Sequence, residues 1–172
     1  MILETYDNFY VVKNAISDTQ IDILTNWFET REYLTKKNGI VEIRTNDNKE
    51  KQKINLPYRK TTIIGMPHNT FDFIKNLLKD VFHTISDDAF EFESPIYFQK
   101  YDIGGHHKAH RDLEIGYPNR KYIVGFQLSD SDSYVGGNLY IENSKGEYIK
   151  CDRDKGSAIT KGSRYVFNEC VS

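Results

Sequence analysis

An α+β fold, mainly β, in which N-terminal helices buttress a sandwich or barrel of short strands, is what the sequence predicts. Three observations lead there. After Asp88, strand-like runs follow one another at 96–101, 121–128, 138–142, 147–151 and 164–171, separated by turn-rich pieces that contain Gly104-Gly105, Gly136-Gly137, Ser144-Lys145-Gly146 and Gly156. Ahead of them lie two segments whose apolar residues recur at helical spacing. Twelve tyrosines and ten phenylalanines add the aromatic content that half-buried pleated surfaces favour. A chain of 172 residues suits one domain. We expect residues 1–90 to form a helical support region with a short strand, and 91–172 to form the β core.

The first helix opens at Ser17. Ser17-Asp18-Thr19-Gln20 is a capping box, the serine offering an oxygen to the first turn and the glutamine reaching back. Ile21, Leu24, Trp27 and Phe28 then share a face. The second helix runs from about Thr70 to His83, with Asn69 as its cap and Phe71, Ile74, Leu77, Leu78, Val81 and Phe82 as its apolar face. Both read as packing elements. Between them, Asn38-Gly39 marks a turn and Ile40-Val41-Glu42-Ile43 a short strand. Residues 45–60 are polar and lysine-rich, but Asp47 and Glu50 interrupt the positive charge, so the stretch reads as a solvated excursion.

Several function classes are disfavoured. A net charge of −2 lacks the concentrated basic footprint of a phosphate-binding protein. A mean hydropathy of −0.62, with no long uncharged apolar run, speaks against a transmembrane helix. The start, MILETYDNFY, has no basic region ahead of an apolar stretch, unlike a secretory signal. The two cysteines, Cys151 and Cys170, are too few for a disulfide framework and too far apart for a Cys-x-x-Cys site, and fit reduced thiols in a cytoplasm.

Three of the five histidines cluster in YDIGGHHKAHRD, residues 101–112. On a strand, His110 and Asp112 project to the same side. An imidazole and a carboxylate so placed can chelate one cation, and suit a non-haem Fe(II) site of two histidines and one carboxylate. Alone, His-x-Asp is weak evidence, since a surface histidine beside an acid looks the same. His106 and His107, after the turn that precedes the ligand strand, read either as residues near the metal or the substrate mouth or, the preferred reading, as solvated loop residues. His68 and His83, near helix ends, read as structural.

The surroundings carry more. Tyr101, Gly104, His110 and Asp112 spell Y-x-x-G-x-x-x-x-x-H-x-D; downstream come Arg120 to Ser129, then Tyr134-Val135-Gly136-Gly137-Asn138-Leu139, Lys155-Gly156-Ser157-Ala158-Ile159 and Gly162-Ser163-Arg164. This order, over roughly residues 96–170, resembles the 2-oxoglutarate- and Fe(II)-dependent dioxygenases, and within them the prolyl 4-hydroxylase-like branch, particularly the PKHD-type hydroxylases of bacteria and phages. The resemblance implies a double-stranded β-helix (jelly-roll) core. It makes His110 and Asp112 iron ligands and has Arg164 hold the distal carboxylate of 2-oxoglutarate, a task suited to a planar guanidinium fork. It places Tyr101 and Gln127 in the cosubstrate pocket. It further implies Fe(II) and 2-oxoglutarate, with ascorbate as an accessory, O2, a protein or peptide substrate, and a bacterial or phage-infected cytoplasm. The activity implied is hydroxylation of an amino-acid side chain, proline first and lysine second. Segments 45–60 and 113–119 are the candidates for substrate contacts.

One departure from the family pattern stands out. The family places a second histidine between the Gly-Ser-Ala-Ile strand and the Gly-x-Arg strand, whereas no histidine follows His110 here. Three accounts are open: an absent internal segment of about a dozen residues after Ile159, which would carry a strand, a turn and the third ligand; a deletion leaving a weak metal site; or a third ligand supplied by Glu169, Cys170 or His107. The abrupt junction favours the first. The rival functions are a non-catalytic double-stranded β-helix module that binds a carboxylate or a protein, and a nucleic-acid dealkylating dioxygenase.

Overall fold

The computed structural model describes residues 1–37, 59–67, 69–92, 96–111, 120–151, 153–162 and 166–170. Its strands are β1 (Ile2–Thr5), β2 (Phe9–Lys13), β3 (Arg59–Lys60), β4 (Thr62–Met66), β5 (Ile96–Lys100), β6 (His106–Arg111), β7 (Tyr122–Phe126), β8 (Asn138–Glu142), β9 (Tyr148–Lys150), β10 (Ala158–Gly162) and β11 (Val166–Cys170). The helices are α1 (Asp18–Lys37) and α2 (Asp72–His83), with a short 3-10 turn at Ser131–Ser133. One sheet has the order β1-β2-β10-β7, a second β3-β6-β11-β8-β9, and β4 pairs with β5 apart from both. Every pairing is antiparallel.

The two larger sheets face each other across an apolar layer. Phe9, Val11 and Ile159 of the first pack with Ile141 and Cys151, and with the half-buried Leu139 and Ile149, of the second region. Successive strand residues alternate between faces, so Val12 and Ala158 look the other way. They pack under Val81 of α2, with Val124 and Phe126 alongside. A third cluster joins Ile21 and Leu24 of α1 to Met66 of β4 and to Ile74 and Leu77 of α2. The helices therefore do buttress a sheet, as expected.

The capping box forms as read. Gln20 N–H donates to Ser17 Oγ at 3.3 Å, and Gln20 Oε1 accepts from both the Ser17 N–H and its hydroxyl at 3.0 Å. The second helix differs at its start. It begins at Asp72, its cap position is Phe71 in an extended conformation, and no side chain caps it. Asn69 instead belongs to a turn in which Thr70 N–H donates to the Pro67 carbonyl at 2.9 Å. His83 closes the helix, its Nδ1 3.4 Å from the Ser86 carbonyl and its ring edge-on to Phe82.

In the β half, β8 matches its expected limits, β5, β7 and β9 are each trimmed by one to three residues from the runs read in the sequence, and β11 falls within its run. The expected order of helices first and strands afterwards is corrected, because β1 and β2 precede α1 and lie in the first sheet. The pair β4 and β5 brackets α2 and was not foreseen as a pair. Arg59 and Lys60, assigned to the polar excursion, form a short strand on the edge of β6. The expected turn at 38–39, the strand at 40–43, residues 45–58, His68 and the segment 113–119 lie outside the described residues.

Candidate metal centre

β6 carries the histidine cluster between β3 and β11. Its sequence, HHKAHR, has no apolar periodicity, so its pairing on both edges defines it as a strand. The reading of His106 and His107 as solvated loop residues is thereby corrected. Both are strand residues, and His107 is only 6% exposed.

The register of β6 against β11 explains where the histidines go. Val166 lies opposite Arg111, Phe167 opposite His110, Glu169 opposite His107 and Cys170 opposite His106. Between His107 and His110 the chain takes three steps while β11 takes two, so β6 holds a β-bulge there. In a regular strand, residues three apart point to opposite faces. The extra residue cancels that inversion and returns His107 and His110 to one face.

That face is the inner one. Directly opposed residues of adjacent strands share a face. Ile141, in the apolar layer between the sheets, flanks position 167 from the β8 side, while His110 flanks it from the β6 side. Leu139, also packed on that layer, and His107 flank position 169 in the same way. Consistently, the two imidazoles stack with centroids 3.6 Å apart and planes inclined by 28°. His110 is half-buried, and its Nδ1 lies 2.8 Å from the Lys108 carbonyl on the bulged stretch. Donation to that carbonyl puts the proton on Nδ1 and leaves the lone pair of the neutral ring on Nε2.

A buried lysine lies on the inner face of the other sheet. Lys161 of β10 lies opposite Phe9, an inner-layer residue, and is itself 2% exposed. β10 ends at Gly162, and β11 begins at Val166, which opposes Arg111. Lys161 thus stands at the end of the sandwich to which His110 belongs. Sheets packed face to face lie about 10 Å apart, a gap that a lysine stem and a small dicarboxylate can bridge.

The other expected site residues fare differently. Asp112 and Arg164 lie outside the described residues. Tyr101 follows β5 on the turn into β6, and its hydroxyl donates to Gln99 Oε1 at 3.1 Å. Gln127 follows β7; its carboxamide N–H group donates to the Ser129 carbonyl and to the Tyr134 hydroxyl, both at 2.9 Å. That holds it within the loop that leads to Gly136 and Gly137, both at positive φ. The loop is closed by Arg153, which donates to the Gly136 carbonyl and sits over the Tyr134 ring at 5.0 Å. Among the described residues no three His, Cys, Asp or Glu side chains gather as a metal site.

The junction after Ile159 also takes a definite form. β10 continues to Gly162 in one sheet, and β11 starts at Val166 in the other, directly beside the histidine strand. A strand that pairs with β6 is therefore present. It carries Phe167, Asn168 and Glu169 where the strand adjoins the histidines.

Sequence reasoning named His107 only as one of three alternative third ligands and gave Lys161 no role. The bulge that turns His107 inward leaves no mark in HHKAHR. Lys161 had no signal of its own, since its neighbours in SAITKG are Thr160 and Gly162.

The chain matches no protein-family model and no curated protein sequence. A solved structure does resemble it: a Pseudomonas putida prolyl-4-hydroxylase superposes with a TM-score of 0.67 at 13% identity, over 96% of this chain and 85% of that one. At that identity the likeness is one of fold. No helix among the described residues is long and apolar enough to cross a membrane.

Proposed function

We propose that the chain is an Fe(II)- and 2-oxoglutarate-dependent dioxygenase of the prolyl 4-hydroxylase type, built on a double-stranded β-helix and hydroxylating a prolyl residue of a protein or peptide. The observation that carries this reading is the inward-facing imidazole of His110 on β6, two residues ahead of Asp112, within a fold that superposes on a prolyl-4-hydroxylase. The donor chemistry fits the metal, because imidazole with carboxylate is the pairing that leaves positions open on non-haem iron.

In this reading, His110 offers Nε2 to the metal and the Lys108 carbonyl holds its ring in that tautomer. Asp112 offers the carboxylate. Arg164 and the buried Lys161 supply positive charge for the distal carboxylate of 2-oxoglutarate, and Phe9, Ile141 and Ile159 keep water from the wall behind it. With 2-oxoglutarate and O2, bound Fe(II) supplies the oxidising power that an unactivated C–H bond requires. The loop of Tyr134 to Gly137, closed by Arg153, holds β8 in register beside β11.

The test is Fe(II)-dependent conversion of 2-oxoglutarate to succinate under air, beside Asp112→Ala. Succinate from the parent and none from the variant supports the assignment. Equal succinate from both removes Asp112 from the site. A second reading, a carboxylate-binding module without turnover, draws on the lack of any histidine after His110. It predicts no succinate, and 2-oxoglutarate binding of equal strength with and without Fe(II).

A further inference from the structure

We propose that His107 is a metal ligand beside His110, so that this chain takes both imidazoles of its metal site from one bulged strand. The inference rests on reading this face of β6 as metal-binding and departs from the arrangement that the family resemblance implies, in which the second histidine comes from a later strand.

Four observations converge on it. No later strand has a histidine to give. The bulge in β6 places two residues of His-x-x-His on the same inner face, an outcome the regular pleat forbids. The rings already touch, 3.6 Å between centroids. His110 is oriented by a backbone carbonyl, the kind of partner that fixes a ligating imidazole. Two imidazole nitrogens each about 2.1 Å from one metal in cis positions stand about 3 Å apart. Rotation about the side-chain torsions of two rings this close can turn a nitrogen of each toward one metal. Imidazole suits Fe, Co, Cu and Zn among the divalent ions, so the pair can be probed with ions whose spectra report nitrogen ligands.

The experiment uses the whole chain stripped of metal, in parent form and as His107→Ala, His107→Gln, His110→Ala and His106→Ala. Co(II) affinity is measured by calorimetry, and the number of coordinated imidazole nitrogens by the paramagnetic resonance of bound Cu(II). We expect two nitrogens in the parent and one in each variant of His107 or His110. Co(II) affinity should fall by more than the roughly 10–100-fold that follows loss of a mere orienting partner. His106 lies one residue off along the pleat, and its replacement should change neither reading. Added imidazole should restore affinity to His107→Ala, which a purely structural role would not allow. His107→Gln keeps the volume of the ring and carries the test if the alanine variant unfolds.

The proposal is overturned if both His107 variants keep the parent affinity and two nitrogens. The failure of the dioxygenase reading looks different: a two-histidine metal site that depends on His107, with no Fe(II)-dependent succinate formation. Succinate formation that survives His107→Gln at the parent metal affinity removes His107 and leaves the dioxygenase standing.

Discussion

Gly156 is the position where one added methyl group should do the most damage. It sits at φ +84°, immediately before β10. A Cβ there would lie 2.9 Å from the Ile16 carbonyl oxygen, a backbone atom that cannot swing aside. The same residue accepts from Ala15 N–H at 2.8 Å and Ile16 N–H at 3.1 Å, and donates to the Gln127 carbonyl at 2.9 Å. It therefore ties the entrance of α1 to the end of β7 and to the start of the strand that bears Lys161. For Gly156→Ala, the left-handed backbone costs about 1–2 kcal/mol. Relieving the contact loosens one or two of those hydrogen bonds, each worth about 1 kcal/mol. The sum is about 2–4 kcal/mol, or roughly 4–16 °C in melting temperature for a domain of this size. Urea unfolding followed by far-UV circular dichroism measures it. Gly125→Ala is the control, since that glycine in β7 has nothing within 4 Å of a built Cβ and no positive φ. It should be neutral or stabilising by about 0.5–1 kcal/mol. A loss below about 1 kcal/mol for Gly156→Ala, or equal losses for both, would refute the reasoning.

Replacing Lys161 with Met keeps the length of the stem and removes the charge. It should raise the 2-oxoglutarate concentration needed for half-maximal succinate formation by about tenfold or more, as expected for losing a charge-assisted contact, while leaving Co(II) affinity unchanged. Ser17→Ala removes one half of the capping box and should lower stability by about 1 kcal/mol in thermal or urea unfolding. Asp7 is held below the ordinary carboxylate range, first by its side-chain hydrogen bond with Ser144 and then by the Ser144 backbone N–H at 2.7 Å. Its contribution is present above the unfolded value and fades as pH falls through the folded one, so Asp7→Asn should flatten the acid limb of a stability-against-pH curve. Lys155 is raised above the ordinary lysine value, first by its hydrogen bond to Asp18, at 2.8 Å. That contribution is complete below the unfolded value and lost as pH climbs through the folded one, so Asp18→Asn should remove it at neutral pH and flatten the strongly alkaline limb.

What could be read in the sequence was whatever local chemistry decides. Ser17 and Gln20 cap each other across three residues, and the apolar face of α2 follows the helical period, so both were legible. The start of α2 was not, because the turn of Pro67 to Thr70 uses backbone groups in place of an Asn69 cap. β2 was missed although FYVVK is apolar enough; it forms a hairpin with β1 and meets β10, nearly the whole chain away, on its other edge. β6 was harder still. Nothing in HHKAHR alternates between apolar and polar, and strand formation there follows from partners on both edges. The motif at Tyr101, Gly104, His110 and Asp112 was legible because spacing along a chain survives in sequence, whereas facing across a sandwich does not.

On β10 the inner layer passes from apolar to charged, and that change marks the end of the sandwich that the proposed site occupies. The inward positions of that strand run from Ile159 to Lys161, toward its end at Gly162. On β6 they are His107 and His110, the latter next to Arg111, which lies opposite the first residue of β11. Lys161 and His110 are thus the inward residues nearest to where β10 ends and β11 begins. Burying a lysine and two imidazoles in a layer otherwise filled by Phe9, Val11, Ile141 and Ile159 is unfavourable unless charge or metal partners compensate it. In the proposed function the imidazoles on one wall hold the metal, and the ammonium on the other meets the carboxylate of the anionic chelator.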